Sequence, residues 1–404
     1  MKVQRIAVLT LYYPPEMFGN APLVRSAVEA LAQTGLETHV VTAEPHHRVD
    51  PNSREQATEG IRVDRVTALE PVHGTLSQLK NWYRFARAAA KWLESQEPMP
   101  VISITPPFFF PKVLQRAVRA RGHFLIHWLQ DMYPAAIEIG HNSPRPVSRA
   151  VHWIVKRSLA VPNKVIAVTE DWLPELANGF SVPSCKIQVC ENWCGAILDG
   201  IADPGAQHPP RLLFAGNIGR MADLDTVLRA LSHLTDEAWT LEVCGTGACL
   251  ERVRELAKPL GDRVRFHGAV PESELAKHYA SASLGIVPLR KGASRASVPS
   301  KTYSYFACGL PVLCLVDSGS HFDRLIRREP VGWVAQAGDV ASTTDALRKA
   351  LTTPPETLRA MGAKARALYE DRYSPEAGSA RFVRTLSEIL SEAGFECPEA
   401  RSQG

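Results

Sequence analysis

Short apolar runs separated by amphipathic segments recur along the whole chain, the pattern of strands alternating with helices in an open α/β sheet. Arg5–Leu11 is apolar with little alternation, as a strand buried on both faces should be. A helix with the stripe Leu23, Ala27, Ala30 and Leu31 follows and stops at Gly35, and Thr38–Ala43 is the next strand. The loop Tyr13-Pro14-Pro15-Glu16 with Phe18-Gly19-Asn20 therefore lies at a strand's carboxyl end, where open α/β sheets bind ligands. Glu44–Gly60 is polar loop and Ile61–Ala68 a third strand. Further along, helices are predicted at Thr75–Ser95, Pro111–Arg121, Val147–Leu159 and Asp171–Asn178, with strands at Pro100–Thr105, His123–Gln130, Lys164–Thr169 and Lys186–Val189.

The polar run Ile201–Pro210, with Gly205 and Pro209-Pro210, reads as a linker. A second α/β series then starts afresh. Strands are predicted at Arg211–Ala215, Trp239–Cys244, Arg263–His267, Leu284–Pro288 and Val331–Gln336, with helices at Asp223–Leu234, Leu250–Pro259 and Ser273–Ser281. Three more helices follow, Ala341–Leu351, Pro355–Tyr369 and Pro375–Ala393. At 404 residues the chain has material for two domains: 1–200, a linker at 201–210, and 211–373, with a helix at 374–393 packing back on the first and a tail at 394–404.

Charge position says more than the total. The net charge is only +4, which gives no ground for a nucleic-acid partner. From Lys80 to Arg157, however, twelve basic residues face four acidic ones. Trp82-Tyr83-Arg84-Phe85, Lys91-Trp92 and Phe108-Phe109-Phe110-Pro111-Lys112 fall in that basic stretch, which fits a surface resting in anionic lipid headgroups, although Trp82, Phe85 and Ala89 also have the spacing of a helix core. The apolar run Ile6–Leu11 is too short for a signal core or a membrane span, so a cytoplasmic protein is expected, peripheral on the inner membrane face. Eight cysteines contain no CxxC pair and read as reduced, small apolar residues.

The chemistry concentrates in Ser297–Leu313, SVPSKTYSYFACGLPVL. Pro299 breaks what precedes it, Ser300 is placed as an N-cap, Lys301–Ala307 forms two helical turns ending at Cys308-Gly309, and Leu310–Leu313 enters a strand. An ammonium at a helix start suits a diphosphate, whereas a capped helix with a snorkelling lysine is the plain alternative. Asp223-Leu224-Asp225 has the form of a metal-nucleotide motif but opens a helix, where carboxylates serve as caps. His46-His47 with Asp50 lacks a fourth ligand and reads as a solvated loop. Gly245-Thr246-Gly247 is too short a fragment for a dinucleotide fingerprint, and Tyr12–Ala21 has no GxGxxG.

Taken together, Gly216-Asn217-Ile218-Gly219, Cys244-Gly245-Thr246-Gly247, Phe266-His267-Gly268, Pro299-Ser300-Lys301 through Val312, and Gly332-Trp333 with Ala337-Gly338-Asp339 resemble the retaining glycosyltransferases of family 4. In the first half, Tyr13-Pro14-Pro15-Glu16, Gln130–Pro134 and Asn192-Trp193 are similar to the branch that builds bacterial surface polysaccharides. The resemblance implies the GT-B fold, two Rossmann-like α/β domains facing each other across a cleft, with the donor on the second and the acceptor on the first. Carried over residue by residue, it implies donor contacts from Gly216, Asn217, Gly219, Arg220, Gly245, Gly247, Val270, Ser300, Lys301 and Ser304. Acceptor contacts fall to Gly19, Asn20 and Gln130, and catalytic roles to Asp131, Lys301 and Arg220.

Departures from the family pattern matter as well. The two glutamates usual in the family are Ala296 and Ser304 here, its first-loop Arg and Lys are Asn217 and Ala222, and a common histidine is Gln130. The charge on the diphosphate then falls to Arg220 and Lys301. Asp131 is expected either to orient the acceptor hydroxyl or the oxocarbenium-like sugar, or simply to cap a turn before Pro134. The implied enzyme needs no cofactor and no metal; it takes a nucleoside-diphosphate sugar and a polyprenyl-diphosphate-linked saccharide. A UDP-sugar 2-epimerase of the same architecture and a catalytically silent sugar-nucleotide-binding protein are the alternatives.

Overall fold

The computed structural model describes residues 3–16, 19–45, 58–72, 74–141, 143–195, 202–206 and 208–396; His46, His47, Asp50, Phe18 and Cys397 fall outside them. The chain divides into two compact units, Met1–Pro134 with Arg145–Ala196 and Pro375–Gly404, and Ala135–Pro144 with Ile197–Ser374.

The first unit is built on seven strands, β1 (Arg5–Leu9), β2 (Glu37–Ala43), β3 (Ile61–Thr67), β4 (Pro100–Ile104), β5 (Phe124–Leu129), β6 (Lys164–Ala167) and β7 (Ile187–Val189). They form one parallel sheet in the order β3-β2-β1-β4-β5-β6-β7, with Val8 in register with Val40 of β2 and Ile102 of β4. β1, β4 and β5 are almost wholly buried and mostly apolar, as the apolar runs predict for strands covered on both faces, with Ser103 and His127 buried among them. The chain runs from β1 outward to β3 and then back to β4, so the strand order reverses between β1 and β4. That reversal opens a crevice at the carboxyl ends of these two strands.

Helices α1 (Ala21–Gln33), α2 (Thr75–Glu94), α3 (Phe110–Arg121) and α5 (Arg145–Leu159) connect the strands, α2 packing on α3 and α3 on α5. Helix α4 (Ala135–His141) was not predicted from the sequence; at seven residues it is too short to show a periodic stripe, and it groups with the second unit. The predicted helix Asp171–Asn178 is instead a 3-10 turn at Glu170–Trp172, capped by the Thr169 hydroxyl, and a π turn at Glu175–Gly179.

The second unit carries β8 (Arg211–Ala215), β9 (Thr240–Cys244), β10 (Val264–Gly268), β11 (Leu284–Pro288), β12 (Val312–Val316) and β13 (Gly332–Gln336), parallel in the order β10-β9-β8-β11-β12-β13. Its reversal falls between β8 and β11. Helices α6 (Leu224–Ser232), α7 (Leu250–Ala257), α8 (Glu272–Ala280), α9 (Lys301–Ala307), α10 (His321–Arg328), α11 (Val340–Leu351) and α12 (Pro355–Leu368) complete it. The sequence reading missed α10, whose eight residues carry four charges among few apolar ones.

The last helix, α13 (Pro375–Glu392), belongs to the first unit and packs on α1. Phe382 stacks on Trp128 with ring centroids 4.4 Å apart, and Trp193 donates its indole N–H to Ser26 Oγ at 3.1 Å. A Cβ on Gly378 would lie 2.1 Å from Trp193 Cγ, so only glycine lets α13 approach that indole. Trp193 of the Asn192-Trp193 pair is therefore a core residue, 2% exposed.

Candidate functional site

In the second unit the loop after β8 sits at the strand reversal, and its glycines have physical reasons to be there. Gly216 has φ +143°, Gly245 +152° and Gly247 +156°, a region that L side chains rarely adopt. A Cβ on Gly245 would meet the Gly216 carbonyl oxygen at 1.9 Å, and one on Gly247 would meet Asn217 Oδ1 and the Ile218 carbonyl, each at 2.5 Å. The two glycine loops are thus interlocked. Hydrogen bonds from Ile218 N to Thr246 O (2.9 Å) and from Cys249 N to Ile218 O (2.9 Å) fix their separation, and Gly245 N donates to Gly268 O at 2.6 Å. Val270 follows two residues beyond Gly268, partly exposed.

Lys301 is brought to this loop by α9. Its Cε and Nζ lie 3.2 and 3.6 Å from where a Gly216 Cβ would be, and Nζ is 4.9 Å from the centre of the Phe214 ring. One turn along α9, the buried Tyr305 hydroxyl accepts from Ala215 N (3.0 Å) and donates to Leu213 O (3.1 Å), which pins the helix against the end of β8. Gly285 in β11 makes the room for it, since a Cβ there would stand 2.5 Å from the Tyr305 ring. The sequence reading missed Tyr305, a positioning residue that local periodicity shows only as another apolar helix position.

No described residue forms an ion pair with Lys301, and burial lowers its pKa from 10.5 to about 8. A partly buried cation without a counter-ion is a natural receptor for an anion. Ser300 precedes α9 as placed from the sequence, but its side chain makes no capping hydrogen bond, and it is exposed. Ser304 is partly buried on α9 while Ala296 is fully buried, so no carboxylate stands at either position. Sequence reasoning also missed Asp317 beyond β12, which accepts from Gly292 N (2.7 Å) and Ser294 N (3.2 Å) and so shapes the loop leading to α9.

Arg220 is exposed at the end of the first glycine loop and donates from Nη1 to the Gly140 carbonyl at 3.2 Å. The structure thus brings together Lys301, Gly216, Asn217, Gly219, Gly245 and Gly247, and turns Arg220 toward the end of α4. Asp223 is a cap as expected, accepting from Thr226 N (3.3 Å) and Thr226 Oγ1 (2.8 Å), while Asp225 pairs with Arg252.

In the first unit the reversal crevice is closed by polar contacts from four strand ends. Asn20 Nδ2 reaches the Thr105 carbonyl at 3.4 Å, and Thr105 Oγ1 accepts from Gln130 N (2.7 Å) and Asp131 N (3.3 Å). Thr105, which sequence reading missed, sets where Asp131 points. Gln130 and Asn192 exchange amide hydrogen bonds at 2.7 and 3.3 Å, which engages the Gln130 side chain. Gly19, at φ +61°, stands over the Tyr12 ring. Among the described residues no hydrogen bond to the Asp131 carboxylate caps the following turn, and burial pushes its carboxyl up to about 6. Tyr12 and Tyr133 feel its charge and are themselves raised, chiefly by burial.

Residues 18–193 match the family model described as a glycosyl transferase 4-like domain, and residues 209–353 match glycosyl transferases group 1. A Pseudomonas aeruginosa protein named as the glycosyltransferase WbjE is 26% identical over 183 residues, covering 45% of this chain and 44% of that one. The Escherichia coli protein WcaI, whose name assigns it as a glycosyl transferase to colanic acid biosynthesis, is 22% identical over 87% of this chain and 93% of its own. Among solved structures, sucrose-phosphate synthase from Thermosynechococcus elongatus superposes with a TM-score of 0.77 at 17% identity, covering 96% of this chain and all of that one. HepE of Anabaena, solved with UDP and glucose, gives 0.66 at 13%, covering 95% and 100%.

Proposed function

This chain belongs to the family 4 glycosyltransferases and has the GT-B fold, and from that premise we propose a retaining enzyme. It moves a hexose or acetamido-hexose from a nucleoside diphosphate, UDP, to a lipid-linked saccharide in surface-polysaccharide synthesis. The observation that carries this reading is the Lys301 ammonium seated at the Gly216 backbone within interlocked glycine loops, with no described carboxylate to neutralise it. The second unit then holds the donor. As the bond from the anomeric carbon to the diphosphate oxygen breaks, charge grows on the leaving group beside Lys301, and the acceptor oxygen forms the new bond while its proton passes to the diphosphate. No metal is required in this scheme. Asp131 of the first unit orients the acceptor hydroxyl.

The first unit also supports a place at an anionic membrane surface. All twelve basic residues from Lys80 to Arg157 are exposed, and α2, α3 and α5, which carry four each, pack with α3 against both others. The exposed apolar side chains there are Leu76, Tyr83, Val147 and Trp153, with Arg157 stacked 3.9 Å over Trp153. Trp82, Phe85, Phe108 and Phe110 are core residues, so the lipid-facing role passes to these others. Among the described residues no helix is long and apolar enough to cross a membrane.

A panel of UDP- and GDP-sugars, with and without membrane lipid extract, tests the transfer reading. Nucleotide release that requires both one donor and lipid is the expected result. Epimerised donor without release would replace the reading with an isomerase, and tight nucleotide binding with neither product would leave a silent binding protein, the alternative that the missing carboxylates at Ala296 and Ser304 raise.

A further inference from the structure

At the β9–β10 edge of the second unit three metal-competent side chains converge from three elements. Glu242 of β9, His267 of β10 and His278 of α8 each offer a ligand atom, and these atoms lie within 4.8 Å of one another. Glu242 Oε2 is 2.5 Å from His267 Nε2, and the two imidazole centroids are 4.5 Å apart. The other carboxylate oxygen, Oε1, is held by Arg265 Nη1 at 3.4 Å, with Arg211 Nε at 3.9 Å. The guanidiniums thus hold the other side of the carboxylate and leave Oε2 to His267, the kind of outer support that metal-ligating carboxylates receive. The Glu242 side chain is 5% exposed and that of His267 31%, so the cluster is anchored from within and open to solvent. Nothing in the transfer reading uses these residues.

We propose that Glu242, His267 and His278 bind a divalent transition ion of the zinc class, with water in the remaining position. Two imidazoles and one carboxylate are the donor set such ions prefer. Magnesium and calcium want several anionic oxygens; here there is one, and two guanidiniums offset its charge. Ligands about 2.0–2.2 Å from a tetrahedral ion stand roughly 3.3 Å apart, so the Glu242–His267 contact opens by under an ångström as the ion takes the place of that hydrogen bond. His267 and His278 flank the connection that carries Val270, so the ion ties β9, β10 and α8 together beneath it. An effect on donor affinity would rest on the transfer reading; the binding of the ion does not.

The test is a titration of EDTA-treated full-length protein with Zn(II) by calorimetry, and with Co(II) followed by its visible absorption. Expected are a single equivalent at micromolar affinity or tighter, an intense low-coordinate Co(II) spectrum, and no heat with Mg(II). His267→Ala and His278→Ala should each weaken binding at least about tenfold and the double variant abolish it, with the metal-free variants keeping the parent's circular dichroism spectrum. Absence of Zn(II) binding, or a single equivalent that survives in the double variant, overturns the proposal. Zn(II) binding by a chain inactive toward every donor would support the metal site while refuting the transfer reading.

Discussion

Replacing Lys301 by methionine keeps most of the side-chain volume and removes its charge, and the two consequences have opposite signs. In the free protein, burial lowers the ammonium's pKa from 10.5 to about 8, so the charged form is held at a cost. A shift of this size corresponds to about 3 kcal/mol at most, and about 2 kcal/mol after allowing for the solvent contact that Lys301 retains. The sign follows from proton counting. Below pH 8 folded and unfolded chains are both protonated and the cost is felt in full; between pH 8 and 10.5 the folded chain loses its proton first, so stability rises. Lys301→Met should therefore be more stable than the parent at pH 7, with the advantage gone above pH 10.5. Nucleotide binding should move the other way. An ammonium about 4 Å from a phosphate charge at an effective dielectric near 20 gains roughly 4 kcal/mol, of which about half survives desolvation, so UDP affinity should fall about 30- to 100-fold. Uridine, which lacks the diphosphate, should bind parent and variant alike. Urea unfolding at pH 7 and calorimetry with UDP and uridine make the comparison. Unchanged UDP affinity, or a variant less stable than the parent, would refute the reasoning, since a lysine retained for packing alone predicts both.

Asp131→Asn should stabilise the protein by about 2 kcal/mol at pH 8, because a carboxyl raised by burial to about 6 makes the folded chain the better proton binder between pH 4 and 6 and stability falls across that window; urea midpoints at pH 8 and pH 4 should show the gain only at the former. The same variant should lose transfer by at least about 100-fold in the donor-release assay, as expected for a group that orients the attacking hydroxyl. Gly245→Ala forces a Cβ into the Gly216 carbonyl at a positive φ and should cost about 2–4 kcal/mol in thermal unfolding, together with UDP binding. Gly378→Ala should lower the unfolding free energy by about 1–3 kcal/mol by pushing α13 off Trp193, while leaving UDP affinity unchanged. Reversing Arg149, Lys156 and Arg157 to glutamate should release the protein from anionic vesicles at low salt; retention equal to the parent would sink the membrane reading.

Strand positions were legible because parallel strands buried on both faces are continuous aliphatic runs, and β8 and β11 fall where Arg211–Ala215 and Leu284–Pro288 place them. Long helices with an apolar stripe were equally plain, as were the glycine loops and Lys301, since chain order alone puts them at strand ends. Helix α4, seven residues long, is too short for a period, and α10 escaped although Phe322, Leu325 and Ile326 have helical spacing, because four charges crowd its eight residues. Strand order was likewise invisible, because the same runs permit many orders, and only the folded chain set reversals at β1/β4 and β8/β11. Pair geometry belongs to that second class. Local sequence gives no sign that Tyr305 holds α9 to β8, that Thr105 aims Asp131, that Arg220 turns to Gly140, or that Glu242, His267 and His278 meet. Each of these contacts joins residues far apart along the chain. Periodicity reports which face of an element avoids water; which side chains then share one spot is decided by how the strands are ordered and how closely the helices pack upon them.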